Sequence, residues 1–122
     1  MAPASALDVD SAAQRKRLRE AALRARQAMP EAQRACLTLR LAAHLDGLMA
    51  LLQPRRLGFC WPYRAEPDLR QWVCGWRVAA PGRVAALPVV LERDAAMVFR
   101  AWEPDQPMVL DRHGIPHPAA GD

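Results

Sequence analysis

From Ser11 to Leu52 the chain is built almost wholly from strong helix formers, with one sharp break where Met29 meets Pro30. Two consecutive helices are the reading this composition permits. In the first, SAAQRKRLREAALRARQAM, Ser11 offers an N-cap and Leu18, Ala21, Ala25 and Met29 form an apolar stripe. Arg15, Arg19 and Arg26 line up beside that stripe as a basic ridge. Residues 1–10, MAPASALDVD, read as a disordered tail. Pro30 suits the first turn of the second helix, where its missing N–H needs no partner. Leu37, Leu41, Leu45, Leu48 and Leu52 share one face of that helix, and Ala35, Cys36, Leu39 and Ala43 share another. Only Gln33, Arg40 and His44 make a polar strip. Such a helix is expected to pack between other elements, with His44 at the surface.

The second half changes character. After the breaker Gln53-Pro54-Arg55-Arg56, the run LGFC reads as a buried strand ending at Trp61-Pro62. A loop, WPYRAEP, leads to a short helix from Pro67 to Gly75, with Leu69, Trp72, Val73 and Trp76 at helical spacing as core residues. Gly82–Val90 holds a second strand interrupted by Pro88, and Ala96–Trp102 reads as a third. Strand, helix, strand predicts a right-handed βαβ unit and a largely parallel sheet with helices on its faces. The proline-rich stretch from Glu103 to Asp122 has no periodicity and reads as irregular. A chain of 122 residues, 52% hydrophobic, suits one α/β domain over residues 11–122.

Charged residues make up 25% of the chain, and no apolar run approaches the roughly 20 residues of a membrane-spanning helix. A soluble protein with no membrane partner is expected. The net charge is +4, and all but one of the 17 basic residues are arginine, whose planar fork suits phosphates and carboxylates. Their scatter along the chain equally fits a solvated surface. Cys36, Cys60 and Cys74 form no CxxC pair, which points to a reducing, cytoplasmic setting and ordinary buried thiols.

Ligands of open parallel sheets bind outside the carboxyl ends of the strands, which directs attention to WPYRAEPD. Trp61 and Tyr63 offer flat surfaces for a ring system, and Glu66 offers an acceptor for ring nitrogens or amines. Glu66-Pro67 equally suits the start of a helix, where a carboxylate meets the dipole. No Walker loop, GxGxxG, GxSxG or HExxH occurs. His113 and His117 have an H-x₃-H spacing, but no CxxC pair precedes them and Pro116 lies between, so no metal site is expected.

Four segments then occur in a telling order: RKRLR at 15–19, WPYRAEPD at 61–68, LPVV at 87–90 with MVF at 97–99, and HGIPHP at 113–118. Together they resemble the N-terminal portion of the 5-formyltetrahydrofolate cyclo-ligases, also called methenyltetrahydrofolate synthetases. The resemblance implies a three-layer, Rossmann-like α/β fold. It also implies conversion of 5-formyltetrahydrofolate to 5,10-methenyltetrahydrofolate, driven by ATP and Mg²⁺. Carried over by position, Arg15, Lys16 and Arg19 would contact ATP phosphates. Trp61, Glu66 and His113 would border the folate. His117 departs from the glutamate or glutamine common at that place. The family continues with a further strand, a glycine-rich phosphate loop and acidic Mg²⁺ ligands, and this chain ends at Asp122 without them. The C-terminal half is therefore expected to be missing, with little turnover from the chain alone. An open sheet edge would invite a pairing partner. Two other readings stand beside this one: a small basic module binding anions or nucleic acid through the arginine ridge, and an inactive partner subunit. On the folate reading no nucleic acid partner is expected.

Overall fold

The computed structural model describes residues 5–120. Ser5 caps the first helix, α1 (Ala6–Ala28), its Oγ accepting the Asp8 amide at 3.2 Å. This moves the helix start ahead of the expected cap at Ser11. Residues 6–10, assigned above to a tail, are helical because Ser5 supplies the cap and Asp8 meets the positive end of the dipole. The remainder of that tail, residues 1–4, lies outside the described residues. The second helix, α2 (Glu31–Leu52), closes at Gln53, which takes a left-handed backbone (φ 47°) and donates its amide to the Met49 carbonyl at 2.8 Å.

Neither long helix has a buried residue. On α2 a strip of Arg34, Thr38, Leu41, Ala42, Leu45 and Met49 is half-buried, whereas Leu39 is 73% and Leu51 78% exposed. The expectation that α2 packs on two sides therefore holds on one. Trp72 Nε1 donates to Asp46 Oδ1 at 2.8 Å, and Met49 packs against the core, so one face leans on the rest of the chain, taking Leu41 and Leu45 with it, while Leu48 and Leu52 of the leucine face stay exposed. The exposed area is 9358 Å², against roughly 6,500 Å² for a compact monomer of this mass. By length and composition alone α2 is also apolar enough to cross a membrane, which corrects the reading that no apolar stretch approaches that length and nothing more.

Beyond α2 the elements are short: β1 (Arg56–Gly58), α3 (Arg70–Val78), β2 (Val84–Val89), β3 (Val98–Ala101), β4 (Met108–Leu110) and β5 (Pro116–Pro118). A three-stranded sheet runs in the order β1-β2-β3. β1 and β2 are parallel, with Leu57 opposite Ala85, and α3 connects them. The α/β class holds. β3, however, is antiparallel to β2, with Val98 opposite Val89, so the sheet is mixed rather than largely parallel. The cause is the connection: residues 90–97 are fewer than the roughly one dozen a parallel crossover needs.

Pro88 sits inside β2 without breaking it. The Trp102 amide donates to the Ala85 carbonyl at 2.8 Å, so by alternation residues 85, 87 and 89 hold the bonded positions toward β3 and Pro88 falls between them. Its absent N–H would face the β1 side, where pairing has already stopped at Ala86. The C-terminal stretch, read above as irregular, forms an antiparallel hairpin of β4 and β5. Asp111 Oδ1 organises its turn by accepting the amides of His113 (2.7 Å) and Ile115 (3.0 Å), and Gly114 supplies the left-handed residue (φ 78°).

One face of the sheet is the core. Ala85, Leu87 and Val89 are buried in alternation along β2, and the first two meet Phe59, Trp102, and Val73 and Trp76 of α3. The opposite face, around Gly58, Val84, Ala86 and Phe99, is an open hollow of about 270 Å³ where a second helical layer is expected. Phe99 there is 52% exposed. The thiols also differ from expectation: Cys36 and Cys60 are exposed and Cys74 is half-buried, because the helix and loop that carry the first two are themselves poorly covered.

Candidate functional site

β1 delivers the chain into WPYRAEPD at the carboxyl end of the parallel pair. Trp102 anchors the loop from below: Phe59 meets it edge-on at 5.3 Å, and Trp61 meets it edge-on at 6.3 Å. The Arg70 guanidinium lies over the Trp61 ring, 4.5 Å from its centroid. Arg70 also grips Asp68 through two bonds, Nε to Oδ1 at 2.9 Å and Nη2 to Oδ2 at 2.7 Å. That side-chain bond holds the Asp68 carboxyl below its usual value, against a smaller opposing effect of burial, and the same bond raises the Arg70 guanidinium.

The centre of the loop is strained. The Glu66 amide donates to the Tyr63 carbonyl at 3.2 Å, closing a turn whose two central residues, Arg64 (φ 50°) and Ala65 (φ 65°), are both left-handed and neither glycine. Each costs about 1–2 kcal/mol in this conformation. Two side chains hold the turn. Glu66 Oε1 accepts the Tyr63 amide at 2.9 Å, and Arg26, in the last turn of α1, donates from Nε to the Arg64 carbonyl at 3.1 Å.

Beside this turn the end of α1 and the first half of α2 enclose a cleft of about 690 Å³. Met29, Leu37 and Leu41 give it apolar walls, and Arg26 and Arg34 with the carboxylates of Glu31, Glu66 and Asp68 give it charge. Among the described residues Glu66 makes no ion pair with either arginine. The arrangement suits a flat, mostly apolar ligand that presents hydrogen-bond donors to a carboxylate and an anionic group to guanidinium.

Of the residues carried over from the sequence as ATP or folate contacts, only Glu66 lines this cleft. Arg15, Lys16 and Arg19 are exposed along α1. Arg19 precedes Arg26 by two turns, so it shares that stripe about 10 Å along the axis. Trp61 is half-buried between Arg70 and Trp102 and does not line the cleft. His113 belongs to a different hollow of about 290 Å³, shared with Asp111, His117 and residues 90–93. There Arg112 Nε donates to His113 Nε2 at 3.2 Å. Burial pushes the Asp111 carboxyl up, but amide bonds from Ile115 and His113 with the nearby histidine charges outweigh it, and the net shift is downward. Arg26 and Arg34 enter the site unannounced; the sequence signal for the first was its place on the basic ridge, and for the second there was none.

Among the described residues no group of three or more His, Cys, Asp or Glu side chains is placed to hold a metal ion. Set against known protein families, curated proteins and solved structures, the chain matches no family model, no curated protein and no solved structure.

Proposed function

We propose that the chain belongs to the folate-handling machinery of a 5-formyltetrahydrofolate cyclo-ligase, cytoplasmic and built on a three-layer, Rossmann-like plan. In that reaction the formyl oxygen attacks the γ-phosphate of ATP and releases ADP. The neighbouring folate nitrogen then closes on the activated carbon and expels phosphate. The work asked of a protein is to hold the two partners in line and to keep water from the activated carbon.

The observation that carries this reading is the carboxylate of Glu66 in an apolar-walled cleft beyond the carboxyl end of β1. Glu66 accepts from pterin N–H groups, and Met29, Leu37 and Leu41 cover the ring. Trp61 supports the loop from behind. Arg15 and Arg19, on the exposed stripe that ends at Arg26, meet the ATP phosphates, with Lys16 beside them. No step is assigned to Mg²⁺ on these residues.

Calorimetric titration of the 122-residue chain with 5-formyltetrahydrofolate, with ATP and with a single-stranded oligonucleotide tests the reading. Folate binding is expected, weakened about tenfold in Glu66→Gln, the loss of one charge-assisted bond. ATP binding is expected to weaken in Arg15→Ala and Arg19→Ala. Salt-sensitive oligonucleotide binding with no folate binding would instead identify the arginine stripe as a nucleic-acid surface.

A further inference from the structure

We infer that Arg26 is a positioning residue, a latch through which α1 holds the strained Arg64–Ala65 turn and thereby seats Glu66 at the cleft wall. The inference rests on the folate reading for what the cleft binds, but the latch itself stands on geometry.

The turn has two left-handed residues that lack the freedom of glycine, and such a conformation persists only where its surroundings over-determine it. Within the loop there are two restraints, the Glu66 amide on the Tyr63 carbonyl and the Tyr63 amide on the Glu66 carboxylate. The second uses the very carboxylate that a ligand needs. A ligand that drew Glu66 away from the Tyr63 amide would loosen the turn unless something outside the loop held it. Arg26 is that restraint: its Nε–H bonds the Arg64 carbonyl at 3.1 Å, between the two strained φ angles, from a helix with no buried residue. Arg26 is half-buried, unlike the other arginines of α1, all of which are exposed. Its remaining guanidinium N–H groups are left for the cleft that it helps to line.

A latch and a direct ligand contact make different predictions once the strain is removed. Ala65→Gly relieves the left-handed cost at one of the two positions without touching Arg26. The test is a cycle of four proteins: the parent chain, Arg26→Met, Ala65→Gly and the double variant. Methionine keeps the helix and the stem length while removing the donor. Two readouts are taken: exchange of the Tyr63 and Glu66 amides without ligand, and affinity for 5-formyltetrahydrofolate. In Arg26→Met both amides are expected to exchange about tenfold faster and folate to bind about tenfold more weakly, the effect of losing one charge-assisted bond. Adding Ala65→Gly is expected to restore most of both losses. Unchanged exchange in Arg26→Met overturns the latch whatever happens to binding. A binding loss that Ala65→Gly leaves in full also overturns it, since Arg26 then acts by touching the ligand. If the parent chain binds no folate, the folate reading falls, and the exchange cycle still decides the latch.

Discussion

Trp102→Ala is the substitution that most directly tests how this small core supports the loop above it. Trp102 is 4% exposed and holds Phe59 and Trp61 edge-on, at 5.3 and 6.3 Å. Truncating a buried tryptophan to alanine removes about 3–5 kcal/mol. Each edge-on aromatic pair adds about 0.5–1.5 kcal/mol beyond the buried area, which places this site at the upper end, near 5 kcal/mol. A chain of this length has roughly 6–18 kcal/mol in total, and a core of seven buried hydrophobic residues among those described places it low in that range. The variant is therefore expected to keep only about 1 kcal/mol of stability at 25 °C and to unfold at the first additions of urea. Urea titration followed by far-ultraviolet circular dichroism is the assay, with Leu51→Ala, 78% exposed on α2, as a control expected to shift stability by less than about 0.5 kcal/mol. A loss below about 2 kcal/mol in Trp102→Ala, with an unchanged denaturant slope, would refute the argument that the sheet and the loop share this residue as their common support.

Three further outcomes are expected. Trp76→Phe should cost under about 1 kcal/mol or even stabilise, because the buried Trp76 Nε1 has no hydrogen-bond partner and its removal recovers a desolvation penalty; thermal melts decide this. The Asp68 carboxyl is held low by Arg70, so its contribution is present above the unfolded-state pKa and is lost as pH falls through the folded value. With both side chains more than a third exposed, it amounts to at most about 0.5 kcal/mol, and Asp68→Asn should flatten the acid limb of a pH-dependent melt by that much. Gly58→Ala should be tolerated at under about 1 kcal/mol: the added methyl would meet Phe99 Cε1 at 3.0 Å, but that ring is 52% exposed and free to turn aside. A loss of several kcal/mol in a urea titration would mean that Phe99 is fixed.

Much of this fold was legible locally. Pro30 divides the helices, the tryptophans of α3 face the core where their spacing placed them, and strand, helix and strand follow in the order read from the pattern. The direction of β3 was legible too, had the shortness of residues 90–97 been weighed against the length of a parallel crossover. What the pattern could not convey is what covers what. The leucines of α2 carry the signature of a helix buried on two sides, yet periodicity records only that an apolar face exists. The hairpin of β4 and β5 is set by the Asp111 carboxylate and one left-handed glycine, not by alternation, and three-residue strands leave too little pattern to read. Glu66 was found from its place after β1; Arg26 and Arg34 join it only through the way two helices close on a loop, which no spacing along the chain encodes.

The isolation of α1 has a consequence for how the chain meets a protease. Arg15, Lys16, Arg17, Arg19 and Arg24 all lie on a helix with no buried residue, so trypsin reaches their peptide bonds through local fraying rather than global unfolding. Arg56, Arg77, Arg83 and Arg100, by contrast, lie in or beside the sheet and α3, where cleavage waits on the cooperative loss of the core. A brief digestion should therefore shorten the chain from its amino-terminal side in discrete steps of mass, with Arg93, exposed in the connection between β2 and β3, as an early site inside the sheet region.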